Sequence, residues 1–199
     1  MTDRFTALAR ACAVDAGPGG ASSDFDLNPD FRPDNVKTRD AGVLVAFMET
    51  ARGLDLILTM RSSALKHHPG QIAFPGGKVD PGDDGVIGAA LREAQEEIGL
   101  DPSNVEVLGT LPYHETITSF HVTPVVARVR APFELRPEPG EVAEGFLVPF
   151  EHVMNPANFI VEGREFRGRM RRYFTVPYGP YYIWGATARM LRVLADRMQ

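Results

Sequence analysis

The sequence predicts an α+β domain with a mixed sheet between helical layers. Short β-favouring runs recur along the chain, while only two long helical patterns appear, one central and one terminal. A length of 199 residues with 44% hydrophobic content is enough for one well-buried core. No internal repeat is present, and no low-complexity tract occurs beyond an early linker.

Taken in order, residues 2–14 place Phe5, Leu8, Ala9 and Cys12 at helical spacing, and 15–35 are rich in Gly, Pro, Ser and Asp. Residues 1–40 therefore read as an N-terminal helix and a flexible extension, and 41–199 as the folded domain. Two apolar runs, 42–48 and 54–60, flank Glu49-Thr-Ala-Arg-Gly53 and predict a core hairpin. Residues 71–74 form a short strand, 75–85 an irregular loop and 86–98 a helix that stops at Gly99. Strands follow at 105–111 and 122–129. Between them, the polar and aromatic run 113–121 either lines a pocket or forms a hairpin tip. An ordered segment restarts at Glu141, after a proline-rich loop. Residues 159–166 and 170–176 predict a hairpin with a basic tip; Arg171 and Arg172 either attract a phosphorylated ligand or guard an exposed edge. Residues 180–198 predict the closing helix, with Pro180 near its first turn.

A net charge of -5 argues against nucleic acid or an anionic membrane as partner. The only cysteine, Cys12, excludes an internal disulfide and suits a reducing compartment. No stretch approaches the roughly 18 apolar residues of a membrane span, and the N-terminus, with Asp3, does not resemble a secretory signal. The expectation is a soluble cytoplasmic protein, with homodimerisation left open.

The chain is organised around Phe74-Pro-Gly-Gly-Lys-Val-Asp-Pro-Gly-Asp-Asp-Gly and the helix after it. Helical spacing puts Ile87, Leu91, Ala94 and Ile98 on one stripe and Glu93, Glu96 and Glu97 on the opposite side. Like charges at i,i+3 and i,i+4 cost roughly 0.2–0.5 kcal/mol per pair, and no lysine on that face relieves them. Arg92 reaches Glu96, which leaves Glu93 and Glu97 facing a common point. Such a face is either solvated or binds a divalent cation, since clustered hard oxygens select Mg²⁺, Mn²⁺ or Ca²⁺. Gly76 and Gly77 let the backbone approach the same cation or a phosphate. Arg61 and Ser62 lie just past a strand end and Lys66 in the next loop. Of these, Arg61 offers a planar fork for phosphate oxygens. His67 and His68 lack a nearby third ligand, which disfavours zinc. An EF-hand around Asp80, Asp83 and Asp84 is disfavoured by its spacing.

Arg92-Glu-Ala-Gln-Glu-Glu-Ile-Gly-Leu100 resembles the end of the Nudix box at every defined position, with Gly77 as its leading glycine. Asp84 then stands where glutamate is usual, after a loop one residue longer than the common one. That loop, with Leu58-Thr-Met-Arg-Ser62, Leu65-Lys-His-His-Pro-Gly70, Phe74-Pro-Gly-Gly77 and Tyr182-Ile-Trp-Gly-Ala-Thr-Ala188, looks like the coenzyme A pyrophosphatase branch. The resemblance runs from about Val43 to the C-terminus.

It implies a Nudix-type α/β/α sandwich with a catalytic loop-helix-loop. It implies metal-dependent hydrolysis of coenzyme A or its thioesters to 3′,5′-ADP and a 4′-phosphopantetheine product. Glu93 and Glu97 would then hold Mg²⁺ or Mn²⁺, with Glu96 as a further ligand or the residue fixed by Arg92. Members of the family recruit a carboxylate from the region of Glu141, with Glu144 as substitute. The Arg61, Ser62, Lys66, Gly76 and Gly77 positions would bind the ligand. ADP-ribose or NADH is the alternative substrate, and a non-catalytic nucleotide-binding module the second alternative.

Overall fold

In the computed structural model, which describes residues 3–13, 20–32, 37–65, 68–166 and 168–199, one mixed sheet organises the chain. Its centre is the parallel pair β2 (Arg39–Thr50) and β8 (Phe120–Val129), in register from Arg39 opposite Phe120 to Met48 opposite Val129. On one side β2 forms a hairpin with β3 (Gly53–Arg61), and β3 in turn pairs with β9 (Val142–Pro149) and the short β4 (Ile72–Ala73). On the other side β8 carries β6 (Val105–Thr110) and β7 (His114–Glu115), and β7 pairs with β1 (Ser22–Ser23).

The period-two alternation of β2 sorts its side chains into two cores. Leu44, Ala46 and Met48 meet Ala90, Ala94 and Ile98 of α2 (Gly85–Ile98). Val45 and Phe47 point to the opposite layer, built with Phe5 and Leu8 of α1 (Arg4–Ala13), the one-turn α3 (Phe150–Val153), and Leu191 and Leu194 of α4 (Gly185–Arg197). Each large side chain removed from water in this way contributes roughly 1.5–3 kcal/mol. This is the expected α+β sandwich. Outside the sheet, β10 (Ile160–Phe166) and β11 (Arg169–Thr175) form a separate two-stranded arm.

The structure corrects four expectations. Gly76–Lys78 is not irregular but a strand, β5, antiparallel to β2 from Ala41 to Val43; two glycines allow that approach because a Cβ at Gly76 would lie 2.4 Å from the Gly42 carbonyl oxygen. The core stripe of α2 runs through Ala90 rather than Ile87, which is exposed, because Gly42 brings the strand close against the turn from Val86 to Ala90, where a small side chain fits. The closing helix starts at Gly185, since residues 176–184 fold back, with Val176 and Ile183 hydrogen-bonded and Tyr178 bonded to Tyr181 across Gly179 and Pro180. Residues 20–32, read as flexible, pack on the domain: Phe25 is buried and β1 extends the sheet. Phe5, Leu8 and Ala11 likewise belong to the main core, so the N-terminal segment is a structural part of the fold.

Three polar groups fix that segment. The fully buried His114 bonds Ser22 Oγ through Nδ1 at 2.9 Å and Asp24 Oδ1 through Nε2 at 3.1 Å, and Asp24 Oδ2 accepts the Ile117 N–H at 2.9 Å. Asn28 then bridges to the arm: its amide accepts the Arg172 N–H and donates to the Arg172 carbonyl, both at 2.7 Å. Hydrophilic composition predicts a linker, but these pairings explain why this stretch is ordered.

Candidate active site

Helix α2 delivers the site because its N-terminal turn rests directly on β2: a Cβ at Gly42 would lie 1.9 Å from the Val86 carbonyl oxygen. The helix ends in a left-handed Gly99, as the sequence predicts. Between these ends Glu93, Glu96 and Glu97 differ sharply in surroundings. Glu96 is exposed, paired at 3.1 Å with Arg92. Glu93 is partly covered, paired with the same guanidinium at 3.0 Å. Glu97 is only 4% exposed, so the glutamate face is not simply solvated.

Glu93, Glu97 and Glu141 form the cluster: one carboxylate oxygen from each lies within 4.8 Å of the others. Glu96 is not part of it, which narrows the expected metal trio and replaces one member with Glu141. Glu141 arrives because β9 is bulged opposite Met60 and Arg61, and the Ser62 N–H holds the Glu141 carbonyl at 2.8 Å. Ser62, buried, thus anchors the loop that carries Glu141. Glu144, the substitute, is occupied elsewhere by Tyr181, whose hydroxyl donates to it at 2.6 Å and whose ring stacks on Phe146.

Electrostatics set Glu97 apart. Burial, more than any other influence, pushes its carboxyl up to about 8; Glu93 and Glu141 add to the rise, while Arg61 and a hydrogen bond from the Gly76 backbone oppose it. Its Oε2 atom is buried without a hydrogen-bond partner among the described residues, and so is Arg61 Nε. Burial also raises Glu93, against the lowering effect of Arg92. An unsatisfied carboxylate oxygen inside a cluster of acids is costly unless a cation completes it.

The fit to a divalent cation is geometric as well. Oxygens on opposite sides of one ion lie roughly 4 to 5 Å apart for bonds of about 2.0–2.6 Å, the range for Mg²⁺ through Ca²⁺. A separation within 4.8 Å meets that requirement. Gly77 leaves the room: a Cβ there would lie 2.3 Å from Glu93 Oε1.

Arg92 is the organiser that sequence reasoning captured only in part. Besides Glu93 and Glu96, its Nε and Nη2 grip Asp83 at 2.9 and 3.0 Å, and this pairing holds the Asp83 carboxyl below its usual range. The acid that completes the motif is therefore Asp83, not Asp84. Asp84 stands at the N-cap of α2 with no side-chain capping bond, while Asp83 also receives the Asp80 N–H at 2.8 Å. The signal was available, for Asp83 follows Gly77 at the common five-residue interval and the extra residue lies after it.

Next to the cluster opens a cleft of about 670 Å³. Arg61, His68, Gln71, Ile72, Phe74 and Trp184 line it together with the β10–β11 arm. His68 holds a left-handed backbone, φ 55°. Lys66 and His67 lie outside the described residues. The run 113–121 serves both readings proposed for it, since His114 and Glu115 form β7 while Thr116, Ile117 and Thr118 line the cleft. The wall contributed by residues 23–28 carried no sequence signal.

Residues 37–168 match the model of the NUDIX domain family. The Nudix hydrolase NudL of Citrobacter koseri, an uncharacterized protein, is 39% identical over 169 residues, covering 85% of this chain and 88% of the relative. NudL of Escherichia coli SMS-3-5, also uncharacterized, is 38% identical with the same coverage. Among solved structures, the NUDIX domain of Shewanella oneidensis NrtR, complexed with ADP ribose, has 18% identity and a TM-score of 0.48, covering 63% of this chain and 82% of that one.

Proposed function

The chain belongs to the Nudix hydrolase family, and on that premise we propose that it cleaves the pyrophosphate bond of coenzyme A or its thioesters, with Mg²⁺ or Mn²⁺, to 3′,5′-ADP and a 4′-phosphopantetheine product. The observation that carries the catalytic part is the Glu93, Glu97 and Glu141 cluster beside a large cleft lined by Arg61. Nudix hydrolases act on nucleoside diphosphate derivatives and generally use divalent metals. The coenzyme A reading rests on the loop motifs around Arg61 and Phe74 and on a cleft large enough for a nucleotide with a further group.

Pyrophosphate resists water because both are electron-rich, so catalysis needs positive charge on the oxygens and a base for the water. Glu93, Glu97 and Glu141 would hold the cation, whose chemistry is to neutralise the diphosphate and acidify water. Arg61, which acts on Glu97 and lines the cleft, would offer its fork to the diphosphate oxygens. Arg92 touches no substrate in this scheme; it fixes Glu93 and Glu96 against Asp83 and so positions the cluster. Water attacks one phosphorus and passes its proton to a carboxylate of the cluster as the bridging P–O bond breaks. Glu141, its most exposed member, is the most open to that water.

The test is product analysis after incubating purified protein with coenzyme A and Mg²⁺ or Mn²⁺, beside parallel reactions with ADP-ribose and NADH. Release of 3′,5′-ADP, with slower cleavage of the other two, supports the reading; preferred cleavage of ADP-ribose or NADH overturns it.

A further inference from the structure

The β10–β11 arm contributes to the cleft two arginines that the hydrolytic scheme does not use. Arg164 and Arg171 are direct partners across the antiparallel β10–β11 arm, and both line the cleft. Like charges placed directly opposite destabilise a strand pair, so this arrangement costs the free protein. The acids nearby do not relieve it. Asp24 is engaged by His114 and the Ile117 N–H, Asp26 is paired with Arg189 at 2.9 Å, and Glu165, which lines the same cleft, makes no ion pair with either arginine. Arg171 influences Asp24 only through space, and among the described residues no carboxylate stands within ion-pair distance of Arg164 or Arg171.

The Arg171 guanidinium is nonetheless held in place. Phe31 lies 5.3 Å from Arg171, and Phe166 lies 5.7 Å from it. Phe31 belongs to the N-terminal segment that Asn28 ties to the backbone of Arg172. An exposed pair that merely guarded a strand edge would not need such support. The cleft these arginines share with Arg61 is also lined by Ile72, Phe74, Phe174 and Trp184, surfaces suited to a flat or apolar portion of a ligand.

We propose that Arg164 and Arg171 form a second anion subsite, which binds a phosphate monoester on the nucleoside, remote from the diphosphate held at Arg61 and the carboxylates. The subsite makes the enzyme specific for nucleotides carrying two separated phosphate groups. It deepens the substrate reading given above and rests on it for the placement of the scissile bond.

Isothermal titration of the full chain with adenosine 3′,5′-bisphosphate and with adenosine 5′-monophosphate tests this, with R164Q/R171Q as the variant and R130Q, another exposed arginine, as the charge control. The wild type should bind the bisphosphate at least tenfold more tightly, a gain typical of one charge-assisted phosphate contact. R164Q/R171Q should lose that preference while keeping its affinity for the monophosphate, and R130Q should keep both. Equal wild-type affinities, an undiminished preference in R164Q/R171Q, or an equal loss in R130Q would overturn the subsite. Failure to cleave coenzyme A while the bisphosphate preference and its loss persist would refute the substrate reading alone.

Discussion

Replacing Gly77 with alanine should disable the enzyme while leaving it folded. The backbone of Gly77 needs no left-handed conformation, so the substitution acts only through the added methyl. That carbon would lie 2.3 Å from Glu93 Oε1, 2.5 Å from Cδ and 3.0 Å from Oε2, where ordinary contact begins at 3.4 Å. The Glu93 carboxylate must therefore retreat by about 1 Å, a displacement that can cost roughly 100-fold in rate when it falls on catalytic geometry. The stability cost stays near or below about 1 kcal/mol, because the clashing atoms are the far end of a flexible side chain. Coenzyme A turnover, Mn²⁺ titration and a thermal melt measure the three quantities. The Glu93→Gln and Gly77→Ala losses should not add in the double variant, since both act through one carboxylate. Turnover of Gly77→Ala within threefold of the wild type, or additive losses, would refute the reasoning.

Other perturbations separate the remaining roles. Glu97→Gln should nearly abolish turnover and also change the pH dependence of metal-free stability. The folded Glu97 carboxyl is raised from 4.5 to about 8, so its contribution is fully present below pH 4.5 and is lost as pH rises toward 8. The metal-free Gln variant should therefore gain on the wild type between those values, as urea titrations across pH would show. Asp83→Asn should lower kcat/KM well below that of Asp84→Asn, because only Asp83 holds Arg92; equal effects in the two would restore Asp84 to the motif. Asn28→Ala removes both bonds to the Arg172 backbone and should cost about 1–3 kcal/mol in a denaturant melt.

The acidic helix, its glycine stop, the β2–β3 hairpin and the strand at 105–110 were legible because each rests on local pattern. So were the candidates Glu93, Glu97, Arg61 and Glu141, which a motif and its spacing name. The burial of Glu97 was not legible, since it comes from β5 and the β9 loop closing over the helix, a tertiary effect that makes a polar position interior. Asp83 was misread as Asp84 because two adjacent acids fit the spacing, and only the reach of Arg92 decides between them. The ordered N-terminal segment stayed hidden for the opposite reason. Ser22, Asp24 and Asn28 are residues that compose linkers, and their partners His114 and Arg172 lie far along the chain.

That segment has a practical corollary for where the protein begins to be itself. The family match starts at residue 37, downstream of Phe31 and Asn28. A fragment trimmed only at its front, to begin at residue 37, would retain every acid of the cluster, yet would strip the Phe31 backing from Arg171 and leave His114 facing no Ser22 or Asp24. Such a fragment would keep the chemical blade and lose the jig that holds the work.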